Sequence, residues 1–160
     1  MSAVNILFLC TGNSCRSIIA EALFREMAPQ GVAAHSAGSY PTGVVHPRAL
    51  AALEKAGVAT DGLYSKSWND LETPPDVVIT LCADAAGEAC PVYFGTFVRS
   101  HWGMPDPAKV TGDEETINAA FSSTLDVLRT RVRALARLPF EDLKNSGQEF
   151  QKALDAIAAL

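Results

Sequence analysis

Short apolar runs alternate with amphipathic stretches along most of this chain. Residues 4–9 and 76–81 are apolar and rich in β-branched side chains, which predicts strands buried on both faces. Residues 32–36 and 97–101 are shorter candidates for strands. The pattern thus predicts four strands, each separated from the next by a longer segment.

The longer segments carry helical spacing. Residues 17–27 have apolar positions at helical intervals and are closed by Pro29, and the next helix opens at Pro47 and ends before Gly57. Residues 113–138 form a long amphipathic pattern that Pro139 terminates. Residues 140–160 predict one more helix.

Alternation of strands and helices predicts an α/β fold with a parallel sheet. Right-handed crossovers and the small number of strands favour a four-stranded, doubly wound sheet of order 2-1-3-4, flanked by helices. A chain of 160 residues suits one domain, with residues 140–160 as a C-terminal helical extension.

Composition narrows the class of protein. Hydrophobic residues make up 48% and charged residues 19%, which excludes a disordered chain. The net charge of -5 argues against a general nucleic-acid binder. No apolar run is long enough for a membrane span, and residues 1–10 lack the features of a signal peptide. We therefore expect a cytoplasmic protein with no membrane partner.

Four cysteines in a reducing compartment indicate chemistry or metal binding rather than a structural disulfide. They lie at positions 10, 15, 82 and 90, without the close pairs typical of zinc modules, so we expect no metal.

The clearest motif lies between the first predicted strand and the first predicted helix. It reads Cys10-Thr11-Gly12-Asn13-Ser14-Cys15-Arg16-Ser17. Free N–H groups and the positive end of a helix dipole converge at such a place, so these eight residues predict an oxyanion-binding loop. Gly12 lets the backbone curl, and the guanidinium of Arg16 can grip two oxygens of a tetrahedral anion.

Cys10 stands at the start of this loop. The dipoles that attract an anion also stabilise a thiolate, so we expect a lowered pKa for Cys10 and a hydrogen bond to its sulfur from Ser17. A thiolate beneath a bound oxyanion is a nucleophile directed at phosphorus or arsenic.

The loop resembles that of the low-molecular-weight protein tyrosine phosphatase superfamily. Ser36-Ala37-Gly38 and Asp106-Pro107 resemble two further motifs of that family. The resemblance implies the family fold over about residues 4–138. It also implies that Cys10 is the nucleophile, Arg16 the oxyanion clamp, Asp106 the general acid and Asn13 the residue that orders the loop.

Cys82 follows its predicted strand directly, as Cys10 follows the first strand. These strands are neighbours in the order 2-1-3-4, about 4.8 Å apart, so the two sulfurs could meet at the carboxyl edge of the sheet. Cys90 comes eight residues later. A bond between Cys82 and Cys90 would require the segment between them to bend or unwind.

Residues 81–91 resemble the redox segment of arsenate reductases built on the phosphatase fold, and residues 101–108 resemble their acid segment. This resemblance implies reduction of arsenate to arsenite through a relay of Cys10, Cys82 and Cys90. It implies no tightly bound cofactor, reducing equivalents from thioredoxin or glutathione/glutaredoxin, and phosphate or sulfate as substrate analogues. We expect a monomer.

Two other functions stay open. One is a phosphatase acting on phosphotyrosine or aryl phosphates, although Ala108 and Lys109 would grip an aromatic ring poorly. The other is a silent thiol sensor or anion-binding module. The electron donor is also open, and Cys15 either packs at the helix start or traps Cys10 in a protective disulfide.

Several remaining polar residues have simpler interpretations. We expect His46 to cap a helix or face solvent and His101 to be structural. Glu21, with Asn13 and Ser36, could line a cation site as in some relatives. Lys66 is interpreted as a surface lysine, with a fixed charge replacing that cation as the alternative. Residues Arg129, Arg131, Arg133 and Arg137 predict a solvated helix face.

Overall fold

A four-stranded parallel sheet forms the centre of the computed structural model, which describes residues 4–82 and 94–160. Its strands are β1 (Val4–Leu9), β2 (Val32–Ala37), β3 (Val77–Thr80) and β4 (Val98–His101). They are hydrogen-bonded in the order β2-β1-β3-β4, and every pair is parallel. The predicted order 2-1-3-4 is confirmed.

Five α-helices occur in the described part of the chain: α1 (Arg16–Met27), α2 (Pro47–Lys55), α3 (Glu114–Ala136), α4 (Phe140–Leu143) and α5 (Gly147–Ile157). Two single-turn 3₁₀ helices, Trp68–Asp70 and Pro107–Lys109, lie in connecting segments. Among these helices none has the length and apolar character to cross a membrane.

The predicted single helix over residues 140–160 is wrong, because the structure breaks it into α4 and α5. The Ser146 backbone is extended there, and the Ser146 side chain accepts a hydrogen bond from the Glu149 N–H at 3.3 Å. A serine that caps a helix in this way satisfies an N–H that has no partner within the helix. Ser146 therefore starts a new helix instead of continuing α4.

The solvated face predicted for Arg129, Arg131, Arg133 and Arg137 is wrong for Arg131. Arg131 is buried, with 8% of its surface exposed, and both terminal nitrogens of its guanidinium donate to backbone oxygens. Because α3 packs against α5 as well as α1, Arg131 has little solvated surface. The spacing of charged residues alone does not reveal the second helix, α5.

Side chains of successive strand residues point to opposite faces of the sheet and build two apolar clusters. The first cluster joins one face to residues of the helices, including Ile6, Phe8, Ile79, Leu23, Phe121, Leu128 and Leu154. The second, on the other face, contains Leu7, Leu9, Val78, Cys10, Cys82 and Phe94. Two of the three described cysteines therefore share one cluster.

The register of β1 and β3 sets where those cysteines fall. Leu9 lies opposite Thr80, and the Leu81 N–H donates to the Leu9 carbonyl at 3.0 Å. Cys10 directly follows Leu9, and Cys82 directly follows Leu81. Both cysteines are consequently placed at the carboxyl edge of the sheet, where open α/β sheets bind ligands.

Candidate active site

The loop of residues 10–17 connects β1 to α1, and its carbonyl groups are turned outward. Three N–H groups of one neighbouring segment donate to it: Tyr40 to the Thr11 oxygen (3.0 Å), Thr42 to the Gly12 oxygen (3.0 Å) and His46 to the Ser14 oxygen (2.9 Å). In a trans peptide the next N–H points opposite to the carbonyl. The N–H groups of Gly12 and Cys15 therefore face the other side of the loop, as anion binding requires.

Asn13 holds this loop from within. It is fully buried, and its φ of 42° lies in the left-handed region that asparagine tolerates better than most residues. Its side-chain amide donates to Ser17 Oγ at 2.9 Å and accepts from the Lys66 N–H at 2.9 Å. These contacts suit the loop-ordering role that the resemblance implies.

Gly38 allows the segment after β2 to lie against the loop. A Cβ at this position would collide with the Thr11 carbonyl oxygen and lie 2.7 Å from the Cys10 carbonyl oxygen. The Gly38 backbone also pairs with the chain near Lys66 and Trp68. Glycine is needed here because two backbones approach more closely than a side chain permits.

The thiols of Cys10 and Cys82 are in contact, joined by a side-chain hydrogen bond. Cys82 Sγ also accepts from the Thr11 N–H at 3.4 Å and lies 3.5 Å from Thr11 Oγ1. Cys10 and Cys82 are both buried and unbridged. The meeting of two sulfurs that the strand order predicts is therefore present in the structure.

The lowered pKa expected for Cys10 is wrong, because the structure raises it. The largest cause is the hydrogen bond with Cys82, and burial adds to it because a thiolate is poorly solvated in an apolar cluster. The positive charge of Arg16 acts in the opposite direction. The sequence indicates the helix dipole and Arg16, but it does not show that the second thiol is in contact.

Cys15 differs from both of these cysteines. It packs in the first apolar cluster, among residues of the helices, whereas Cys10 belongs to the second. Burial and, to a lesser extent, the nearby Asp106 raise the pKa of Cys15 to about 12, while the positive charge of Arg16 acts in the opposite direction. An inert, packed thiol fits this position, which favours the packing alternative for Cys15.

Arg16 links the loop to the segment that carries Asp106. Its NH1 donates to the Met104 carbonyl at 2.9 Å, and its NH2 lies 3.5 Å from Asp106 Oδ2. Asp106 Oδ1 accepts from the Ala108 N–H at 3.0 Å, so its carboxylate is held from two sides. Arg16 Nε is buried and has no hydrogen-bond partner within the described residues, which leaves a donor for an oxyanion.

The surface position expected for Lys66 is wrong. Only 10% of its side chain is exposed, and its Nζ lies 3.8 Å from Glu21 Oε1, whose own side chain is 9% exposed. Ser36 Oγ donates to the same Glu21 oxygen at 2.5 Å. The Lys66 ammonium thus lies next to Glu21, which was expected to line a cation site. The alternative interpretation, in which a fixed charge on Lys66 replaces that cation, is the one that describes the structure. No periodicity in residues 64–67 signals this burial.

Two of the three histidines, His46 and His101, have structural contacts. His46 Nδ1 accepts from the Arg48 N–H at 3.1 Å and caps α2, as one of its interpretations predicts. His101 Nδ1 lies 2.7 Å from Thr80 Oγ1, between neighbouring strands.

The structure brings together Cys10, Cys82, Arg16 and Asp106. Cys90, the remaining predicted redox residue, lies outside the described residues. Within residues 4–82 and 94–160, no group of three or more His, Cys, Asp or Glu side chains could hold a metal ion. The site as described is a buried dithiol beneath an anion-binding loop.

Comparison with known proteins identifies the family of the chain and relatives with a similar fold. Residues 5–149 match the family described as low molecular weight phosphotyrosine protein phosphatase. The chain is 38% identical to an arsenate reductase of Bacillus licheniformis over 85% of its own length and 97% of the relative. It is 36% identical to an arsenate reductase of Bacillus subtilis, over 82% and 94% respectively.

Two solved structures are similar. An arsenate reductase in the phosphate binding state superposes with a TM-score of 0.69 at 27% identity, covering 83% of this chain and 96% of its own. A thioredoxin-dependent arsenate reductase of Corynebacterium glutamicum gives a TM-score of 0.61 at 26% identity, covering 94% of this chain and 64% of its own.

Proposed function

Because the chain belongs to the low molecular weight phosphotyrosine protein phosphatase family, we propose that it reduces arsenate to arsenite through its cysteines. The observation that carries this proposal is the contact between Cys82 and Cys10 beneath the anion loop. Hydrolysis of a phosphate ester needs one thiolate, whereas a two-electron reduction needs a second thiol within reach of the first. The names of the relatives support the same reaction.

The first step is nucleophilic attack by the Cys10 sulfur on arsenic; because the pKa of Cys10 is raised, its thiol proton passes to an oxygen of the arsenate dianion as the thiolate forms. Arg16 and the N–H groups of the loop bind the remaining oxygens of the tetrahedral anion. One arsenic–oxygen bond breaks, and Asp106 supplies the proton with which this oxygen leaves as water. The product is an arsenic(V) adduct on the Cys10 sulfur.

The second step transfers two electrons. The Cys82 thiolate attacks the Cys10 sulfur, and the sulfur–arsenic bond breaks with its electron pair going to arsenic. Arsenic leaves as arsenite, and a Cys10–Cys82 disulfide remains. Because Cys82 already touches Cys10, this step requires little rearrangement at the floor of the site.

In the third step, Cys90 attacks Cys82 and frees the Cys10 thiolate. A Cys82–Cys90 disulfide is then reduced by an external dithiol. We propose a thioredoxin as that reductant, which the thioredoxin-dependent relative from Corynebacterium glutamicum supports. A reducing, cytoplasmic location suits this chemistry because the three thiols must be reduced before each turnover.

The relay is tested by counting arsenite formed per protein. Wild type should turn over repeatedly with arsenate, thioredoxin, its reductase and NADPH. Cys90→Ser should form about one arsenite per protein and stop with a Cys10–Cys82 disulfide, identified by peptide mass mapping.

Cys82→Ser should form no arsenite, although it retains the anion loop. It should still bind phosphate as tightly as wild type, which separates a lost relay from a lost fold. Repeated turnover by Cys82→Ser would refute the relay.

A further inference from the structure

The short segment from Trp102 to Asp106 carries the proposed acid, and its inner side is held by the sheet and the loop. The Trp102 N–H donates to the Thr80 carbonyl at 2.8 Å, which continues the β3–β4 ladder. The Met104 N–H donates to the Leu81 carbonyl at 3.3 Å, and Arg16 holds the Met104 carbonyl at 2.9 Å. These contacts leave the outer side of the segment to be fixed by something else.

Arg131 on α3 provides that outer contact. Its NH1 donates to the Trp102 carbonyl at 3.1 Å, its NH2 to the Ala158 carbonyl at 3.1 Å and its Nε to a Leu160 backbone oxygen at 3.3 Å. One planar guanidinium therefore ties the start of the acid segment to the end of α5. A rigid fork with donors in fixed directions can hold these three oxygens at once, and a lysine cannot.

The C-terminal helix that Arg131 engages is firmly docked on β4. The Trp102 indole N–H donates to the Leu154 carbonyl at 3.0 Å, and Ser100 Oγ donates to Asp155 Oδ1 at 2.6 Å. Leu154 is fully buried and Ile157 nearly so. The helix is thus an immobile platform to which the acid segment can be fixed.

Burying Arg131 has a cost that packing alone does not explain. Within residues 4–82 and 94–160 it forms no ion pair with an Asp or Glu side chain, and its three partners are backbone oxygens. A guanidinium buried against backbone oxygens is costly to desolvate relative to an apolar side chain of similar size. Arg131 and Asp106 also line the same cavity of about 380 Å³, which places Arg131 directly behind the acid segment.

We propose that Arg131 is a positioning residue for Asp106. It acts by fixing the Trp102 carbonyl, at the start of the segment that carries Asp106, to the end of α5. The effect on catalysis rests on the proposed function, in which Asp106 protonates the departing oxygen. Without Arg131, the segment would keep its inner contacts through Arg16 but lose its outer one. Small displacements of an acid from the reacting group reduce rates strongly.

The test compares Arg131→Gln with Arg133→Gln, a matched change at an exposed position two residues along α3. The first readout is hydrogen exchange, which needs no substrate. Arg131→Gln should accelerate exchange in residues 103–108 and leave residues 10–17 as in wild type, and Arg133→Gln should change neither. Unaltered exchange in residues 103–108 overturns the proposal, whatever the activity.

The second readout is the rate of arsenate-dependent thiol loss in a single turnover. Arg131→Gln should slow it about tenfold to a hundredfold, with unchanged affinity for phosphate. In an Asp106→Asn background the same change should add little, because the acid it positions is already gone. A full additional loss in that background overturns the proposal, since it would indicate a general structural defect.

Arg131→Lys covers the case in which Arg131→Gln does not fold. It keeps the charge and one donor direction, so its rate should lie between those of wild type and the Asp106→Asn variant, and its exchange in residues 103–108 should be faster than in wild type. Wild-type behaviour of Arg131→Lys in both readouts overturns the role of the guanidinium fork. Absence of arsenate-dependent thiol loss in wild type would refute the proposed function, whereas the exchange result would still decide the role of Arg131.

Discussion

At the scale of single residues, the site combines the positive charge of the loop with an apolar surrounding, and the two act in opposite directions on the pKa of Cys10. Burial and the neighbouring thiol raise the pKa of Cys10, while Arg16 lowers it. Both sulfurs lie in the same apolar cluster, so a negative charge on either is poorly solvated. The sulfur of Cys82, which accepts a hydrogen bond from the Cys10 S–H, is therefore part of what keeps Cys10 protonated.

Replacing Cys82 tests this interpretation. Cys82→Ala removes the largest cause that raises the pKa of Cys10, so this pKa should fall and more thiolate should be present at neutral pH. Below its pKa, the thiolate fraction of Cys10 rises about tenfold for each unit by which the pKa falls. Alkylation of Cys10, followed by peptide mass mapping across a range of pH, should therefore become faster, by less than that factor because a thiolate of lower pKa is a weaker nucleophile. Cys15→Ala is the matched control, because Cys15 is not among the groups that shift Cys10. Equal alkylation profiles for Cys82→Ala and wild type would contradict the assignment.

The position of the loop between β1 and α1 could be predicted because its signal is local. A cysteine at the end of a strand, a glycine and an arginine before a helix predict an anion site from sequence position alone. The raised pKa of Cys10 and the burial of Lys66 could not be predicted in this way, because each depends on a side chain that is distant in sequence. For Cys10 this side chain is Cys82, and for Lys66 it is Glu21.

At the scale of elements, the sequence predicts the four strands from their apolar runs, and the order of the strands from right-handed crossovers in a small sheet. The structure shortens the third to Val77–Thr80 and extends the second to Ala37. The break between α4 and α5 was missed, since Ser146 caps a helix only when the preceding residues leave the helical conformation. The hydrophobic periodicity of a sequence carries little information about such a dependence of one residue on its neighbours.

The contact between the segment after β2 and the anion loop yields a prediction about Gly38. Gly38→Ala should lower the free energy of unfolding by about 1–3 kcal/mol and weaken phosphate binding, because its Cβ meets the Thr11 carbonyl and the loop must shift. Chemical denaturation and calorimetric titration measure the two effects.

Gly147→Ala is the control for Gly38→Ala. Its Cβ would meet only Val98 Cγ2, at an ordinary 3.7 Å, so both quantities should stay close to wild type. Equal stability of the two variants would show that the approach at Gly38 is looser than described.

At the scale of the whole molecule, anion binding should stabilise the fold. Only the folded chain assembles the loop with Arg16, so phosphate at about a hundred times its Kd should raise the free energy of unfolding by about 2.7 kcal/mol. Arg16→Lys should reduce this gain, because lysine lacks the planar fork. Denaturation in phosphate and in chloride of equal ionic strength measures it. An equal gain in both salts would indicate screening instead of a specific site.

The paired register of β1 and β3 has a consequence for how this sequence can diverge. Cys10 follows Leu9 directly, and Cys82 comes two residues after Thr80, the partner of Leu9. A single insertion or deletion inside either strand would turn one sulfur to the opposite side of the sheet and end the dithiol contact. Insertions and deletions are therefore tolerated only after Cys82 or outside β1 and β3. A related sequence in which either of these strands is one residue longer or shorter would keep the anion loop but lose the contact with the second thiol.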